Sequence, residues 1–244
     1  MRKIFRYECK RLICNKFFIG LVLAILFYGR QVLNHVTILG VSRTAPFSPW
    51  SFGDYLSRML PLLWIGALFF LTFFTSKAER RIEVLTSATP VKPHLYGLVR
   101  CCAALVGTAL LSLTVILLAA AFYGQMFHWY SWNSLFLPTF LTLVPPLIFA
   151  LGSGWLLGRL RPWLIFVWMP LPFLMTALPL PEYLGLLNGS VFVDRPMTLG
   201  VLDPAFSLPT GTVVTQCVLF LTGIGCSLKN FILNTANPPA KAEG

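Results

Sequence analysis

Six runs of about 20 mostly apolar residues, each long enough to cross a bilayer as a helix, constrain this chain more than any motif in it. They fall near 17–38, 57–75, 98–123, 135–157, 163–181 and 211–233 of 244 residues. Of all residues 57% are hydrophobic and 11% charged, and the mean hydropathy is +0.76. Soluble domains carry roughly 25% charged residues, so a water-exposed surface cannot be covered here. The expectation is an all-α polytopic membrane protein with six transmembrane helices, forming one membrane domain over 1–244. Loops and short tails take up the rest, and no large soluble catalytic domain can fit.

The net charge is +11, from 19 Lys and Arg against 8 Asp and Glu. In a membrane chain such an excess records topology, because cytoplasmic loops are enriched in Lys and Arg. Threaded through six spans, only Arg30, Arg43, Arg58 and Arg195 fall on one side and the other fifteen basic residues on the opposite side. This places the protein in the cytoplasmic membrane as a multi-pass chain with both termini in the cytoplasm, and argues against nucleic acid as a partner. Segments 39–56, 124–134 and 182–210 are then external, and 234–244 is a cytoplasmic tail. Residues 1–16, MRKIFRYECKRLICNK, set Phe5, Cys9, Leu12 and Ile13 at helical spacing among six basic residues. That pattern fits a basic amphipathic helix lying in the interface. A signal peptide is the rival reading, but no small-residue cleavage site follows Tyr28.

Segment 76–95, between the second and third runs, gathers Lys77, Glu79, Arg80, Arg81 and Glu83, followed by Val84, Leu85, Thr86 and Pro90. A short helix with both charge signs and a few apolar residues suits docking into a groove on another protein. The alternative is a solvated connection. Near the far end of the first span, Arg30, Gln31, Asn34 and His35 stand at i, i+4 spacing. They read either as a polar patch on a substrate path or as residues reaching to the outer headgroups. Asp54 and Arg58 read as a surface pair, and Arg100 and Lys229 as anchors at the inner helix ends.

Pro138, Pro145 and Pro146 interrupt the fourth run and Pro170, Pro172, Pro179 and Pro181 the fifth. In lipid such breaks survive where protein or water takes up the freed carbonyls, so both helices are expected to face protein or a cavity. Pro145, Pro146, Pro170 and Pro172 therefore join Arg30, Asn34 and His35 as candidates for a substrate path. Gly154 and Gly158, like Ala103 and Gly107, permit close helix packing. The tryptophans read as interfacial belts.

Chemistry-bearing motifs are missing from the sequence. The six cysteines have no CxxC spacing, which gives no metal site, and H-E-x-x-H is absent. Leu151-Gly152-Ser153-Gly154 lacks the leading glycine of a nucleophile elbow, and the three histidines fall on different sides of the membrane. No catalytic residue is assigned. The sequence also has no G-x-x-x-x-G-K-[ST] run and not one Gly-Lys pair, so it carries no P-loop.

The order of basic helix, six spans and a charged E-R-R-x-E-x-L-T-x-x-x-P segment between spans two and three resembles the permease subunits of ABC-2-type ATP-binding-cassette exporters. Glu79, Arg80, Glu83, Leu85, Thr86 and Pro90 take the places of that family's loop residues, and Arg100 that of its basic residue on span three. Ile82 stands where the family often has glycine. The resemblance implies that residues 1–16 are an elbow helix and 76–95 a coupling helix. Glu79, Arg80, Arg81, Glu83, Leu85, Thr86 and Pro90 would then meet a separate ABC ATPase subunit, which holds ATP and Mg. It further implies a second permease copy or related permease, and export of an amphiphilic or hydrophobic substrate, a lipid, peptide or drug. A non-transporting membrane anchor or sensor that recruits a cytoplasmic partner is the alternative.

Overall fold

The computed structural model describes residues 2–75 and 93–236, and all regular structure among these residues is helical. In order the helices are α1 (Arg2–Ile13), α2 (Lys16–His35), α3 (Pro49–Thr75), α4 (Pro93–Phe127) and α5 (Phe136–Leu160). After them come α6 (Trp163–Trp168), α7 (Leu171–Ala177), α8 (Gly185–Asn188), α9 (Ser190–Leu199) and α10 (Thr210–Ala236). Five of them, α2, α3, α4, α5 and α10, are long and apolar enough to cross a membrane, which makes this a multi-pass membrane protein. The break between α1 and α2 has a local cause. Asn15 adopts an extended conformation and its side-chain oxygen accepts the Phe17 N–H at 3.2 Å, capping α2.

Helices α3 and α5 form the centre. Of their most apolar stretches 67% and 56% are buried, against 22%, 33% and 17% for α2, α4 and α10. Side-chain contacts fix the directions. Phe18 stacks near Phe70 while Gly29 meets Tyr55 and Met59, so α2 runs antiparallel to α3. Gly107 lies on Phe70 and Tyr123 on Phe52, so α4 does the same. Gly154 packs on Leu68 and Leu71 and Gly158 on Thr75, which sets α5 parallel to α3. The small residues therefore pack within the bundle.

Three expectations change. The second apolar run starts earlier, because Pro49 opens α3 and the helix holds 27 residues, about 40 Å at 1.5 Å per residue. Pro138, Pro145 and Pro146 do not interrupt α5. Pro138 sits in the first turn, where no helical acceptor is lost, and the buried Pro145 and Pro146 are carried inside a continuous 25-residue helix. The fifth run is not one long helix. It divides at Met169 and Pro170 into α6 and α7, and Trp163–Ala177 is shorter than a spanning helix. Pro170 has no N–H for the helical ladder and its ring crowds the carbonyl four residues back, while Met169 itself keeps helical backbone.

The short helices nevertheless travel along the bundle. Ile165 touches Gly158 near the Thr75 end, and Trp168 meets Trp64 and Phe149 halfway. Gly189 reaches Asp54 and Ser57 near the start of α3. There residues 182–209 form a cap. Trp50 is fully buried and donates its indole N–H to the Pro204 carbonyl at 2.8 Å, and Phe192 lies on Gly53. Gly189 takes φ +83°, and a Cβ on it would stand 2.5 Å from Ser57 Oγ, so only glycine fits. Asp54, read above as half of a surface pair, is buried and accepts the Arg58 Nε–H at 2.8 Å.

Candidate functional site

At the end opposite the cap, the amphipathic helix α1 lies along the start of α4. Its inward stripe holds Phe5, Cys9 and the buried Leu12, as the helical spacing requires. Glu8, the only acid in α1, shares that stripe and is 2% exposed. A carboxylate cannot be removed from water at that cost without a partner. The partners come from α4. Tyr96 donates its hydroxyl to Glu8 Oε1 at 3.0 Å and accepts Arg100 Nη2 at 2.8 Å. Arg100 Nε stands 3.8 Å from the same Glu8 oxygen, and Arg11 Nη1 3.7 Å from the other.

Arg100 is 4% exposed. Its reading as an interfacial anchor is therefore corrected: the guanidinium is packed inside, 4.2 Å from the centre of the Tyr96 ring and 5.6 Å from that of Phe74. Stacking on aromatic faces and hydrogen bonding along the edge is what guanidinium does well and ammonium does not. Phe74 is the second-last residue of α3 and Tyr96 lies in the first turn of α4, so the two ends that flank 76–92 meet on one side chain. The cluster thus ties α1, α3 and α4 together where segment 76–92 leaves and returns. Cys9 borders it, and burial, with Cys102 and Glu8 nearby, pushes the Cys9 thiol pKa upward.

Glu79, Arg80, Arg81, Glu83, Leu85, Thr86 and Pro90 lie outside the described residues, as does 237–244. In α2, Arg30 and His35 are exposed and Asn34 half-buried. Helix α2 packs on α3 and α4, whereas Pro145 and Pro146 are buried in α5. Pro172 is buried and Pro170 exposed. The candidate path residues are thus spread over the bundle and form no single cluster.

Trp168 is not a boundary residue. Its indole N–H donates to Ser153 Oγ at 3.0 Å, its carbonyl accepts from Trp64, and Ser153 donates back to the Phe149 carbonyl. Ser153 is therefore engaged in packing α5 against α6. Among the described residues no group of three His, Cys, Asp or Glu could hold a metal, and all six cysteines are free thiols.

Charge separates along the bundle. Arg43, Arg58 and Arg195 belong to the capped end, where Arg195 lies 3.7 Å from Glu182, Arg58 pairs with Asp54, and the Arg43 carbonyl accepts the Asp203 N–H. The basic helix α1 occupies the opposite end with the Thr75 terminus of α3. The signal for Glu8 was present in the sequence, as a lone acid three residues after Phe5 and four before Leu12, on an otherwise basic helix. Comparison of the chain with protein-family models, with curated proteins and with solved structures found no match to any of them.

Proposed function

We propose that this chain is the membrane-spanning subunit of an ABC-2-type exporter, driven by ATP and Mg bound in a separate ABC ATPase subunit. The basic end faces the cytoplasm, α1 serves as the elbow helix, and segment 76–95 is the coupling segment received by the ATPase. Six crossings follow if the broken segment 163–189 counts as one. Its contacts run from the Thr75 end of α3 through Trp64 to Ser57, which supports that count and an arrangement with both termini on one side.

The observation that carries the reading is the buried Glu8–Tyr96–Arg100 joint, which binds both ends of the charged segment to α1 and α3. A partner that displaces the segment pulls on a joint fixed to three helices, and rigid contacts of this kind pass movement into the spans. The exported cargo is an amphiphile, carried across by alternating access, and a second permease copy or a related permease completes the assembly. Purification of the tagged chain from its native membrane tests the reading. A P-loop ATPase in stoichiometric amount supports it, whereas a kinase or scaffold in that place supports the membrane-anchor alternative.

A further inference from the structure

Over 210–229, helix α10 buries a stripe of Thr212, Gln216 and Gly223, and it packs chiefly on α5. At Gly152 and Gly223 the two backbones touch: a Cβ on Gly152 would stand 2.1 Å from the Gly223 carbonyl oxygen. The Thr212 hydroxyl donates to the Glu182 carbonyl beside the cap, so α10 starts at the capped end and runs parallel to α5. Seven residues before the touching glycines, two turns toward the cap, stand Gln216 on α10 and Pro145 on α5.

That level is polar and unsatisfied. Gln216 is 1% exposed, and neither its amide nitrogen nor its oxygen has a hydrogen-bond partner. Thr142, fully buried one turn above Pro146, also has an unpartnered hydroxyl. Elsewhere Thr108, Thr114, Thr139 and Thr222 donate to the carbonyl four residues back, so Thr142 departs from the habit of this chain. Pro145 and Pro146 have no N–H to offer, so the carbonyls of Leu141 and Thr142 lose their helical donors. Donors and acceptors thus accumulate at one depth, and buried polar groups in hydrocarbon require partners.

We propose that this seam binds the uncharged, hydroxyl-bearing headgroup of a lipid, with Gln216 and Thr142 as its side-chain contacts. No charged residue occurs in 136–158 or 210–228, so a charged headgroup would meet no counter-ion, whereas hydroxyls can both donate and accept. The flanks of α10 expose Val214, Val218 and Leu221, which gives acyl chains an apolar surface beside the seam. From the reading above the proposal takes only that amphiphiles enter the bundle. Lipid retention is measured without an ATPase, so either claim can fail alone.

The test is native mass spectrometry of the full chain, released from micelles holding equal amounts of a glucosyl diacylglycerol and a phosphatidylglycerol. The wild-type chain retains the glucosyl lipid, and Gln216→Leu and Thr142→Val each cut that retention about fivefold, the value of one hydrogen bond, without changing phosphatidylglycerol. Both variants melt at or above the wild-type temperature, because each removes an unpaired buried polar group. Free glucose at the same concentration displaces nothing. Unchanged retention in both variants, equal retention of the two lipids by the wild type, displacement by glucose, or lower melting with loss of both lipids each overturn the assignment.

Discussion

Neutralising Glu8 as Glu8→Gln keeps an acceptor for the Tyr96 hydroxyl but removes the charge opposite Arg100. At 3.8 Å and an effective dielectric of about 20, the attraction between the two charges is about 4 kcal/mol before desolvation is counted. Breaking one side of a buried pair leaves the other charge uncompensated, which costs about 3 kcal/mol at the lower end of the usual range. Arg11, with its side chain 37% exposed, adds little to this because water screens it. Arg100→Met alone should cost a similar amount. The double variant Glu8→Gln/Arg100→Met removes both charges and should cost about 1–2 kcal/mol relative to wild type, not the sum of the two single losses, so the coupling is about 4 kcal/mol or more. Thermal unfolding in detergent micelles reads this as a fall of roughly 6–10 °C for each single variant and a partial recovery in the double. Additive losses in the double variant would refute the reasoning, since they would mean that the two side chains do not stabilise one another.

Other consequences follow from the same packing. Gly152→Ala should lower the unfolding temperature steeply, because its methyl would enter the Gly223 carbonyl, a backbone group that cannot move aside. Gly20→Ala, where no atom stands within 4 Å, should leave stability unchanged or raise it by about 1 kcal/mol, the helical preference for alanine. Maleimide labelling should modify the exposed Cys14 promptly near neutral pH and Cys9 slowly. Because burial raises the Cys9 pKa, its thiolate fraction and labelling rate should climb at a higher pH than an ordinary thiol's; equal rates would contradict the packing of α1. In whole cells a cysteine at position 128 should react with an impermeant reagent and one at position 92 should not, the reverse result overturning the orientation.

The spans were legible because hydrophobic length depends on the bilayer alone, and α2, α3, α4, α5 and α10 each cover an expected apolar run. The division of the fifth run at Pro170 was legible as strain, though its outcome depended on Trp168 finding Trp64 and Ser153. Pro145 and Pro146 were readable as residues that must face protein, and they are buried. The joint at the basic end was not readable as a pair. Arg100 taken alone looks like any helix-end cation, and its partner Glu8 lies 92 residues earlier on a helix whose other charges are all basic. Only packing shows that the two are removed from water together. Gln216 sits within an apolar run with no charge or spacing to mark it, and its importance lies in what it fails to touch.

The central claim is that ATP-driven movement enters the bundle through segment 76–95. Its most direct test is ATP hydrolysis by the reconstituted assembly of this chain with its ATPase, comparing wild type with Glu79→Arg/Glu83→Arg. The account predicts that the reversed chain still inserts and spans the membrane, while stimulation of the ATPase is lost. Unaltered stimulation in the reversed chain would contradict it.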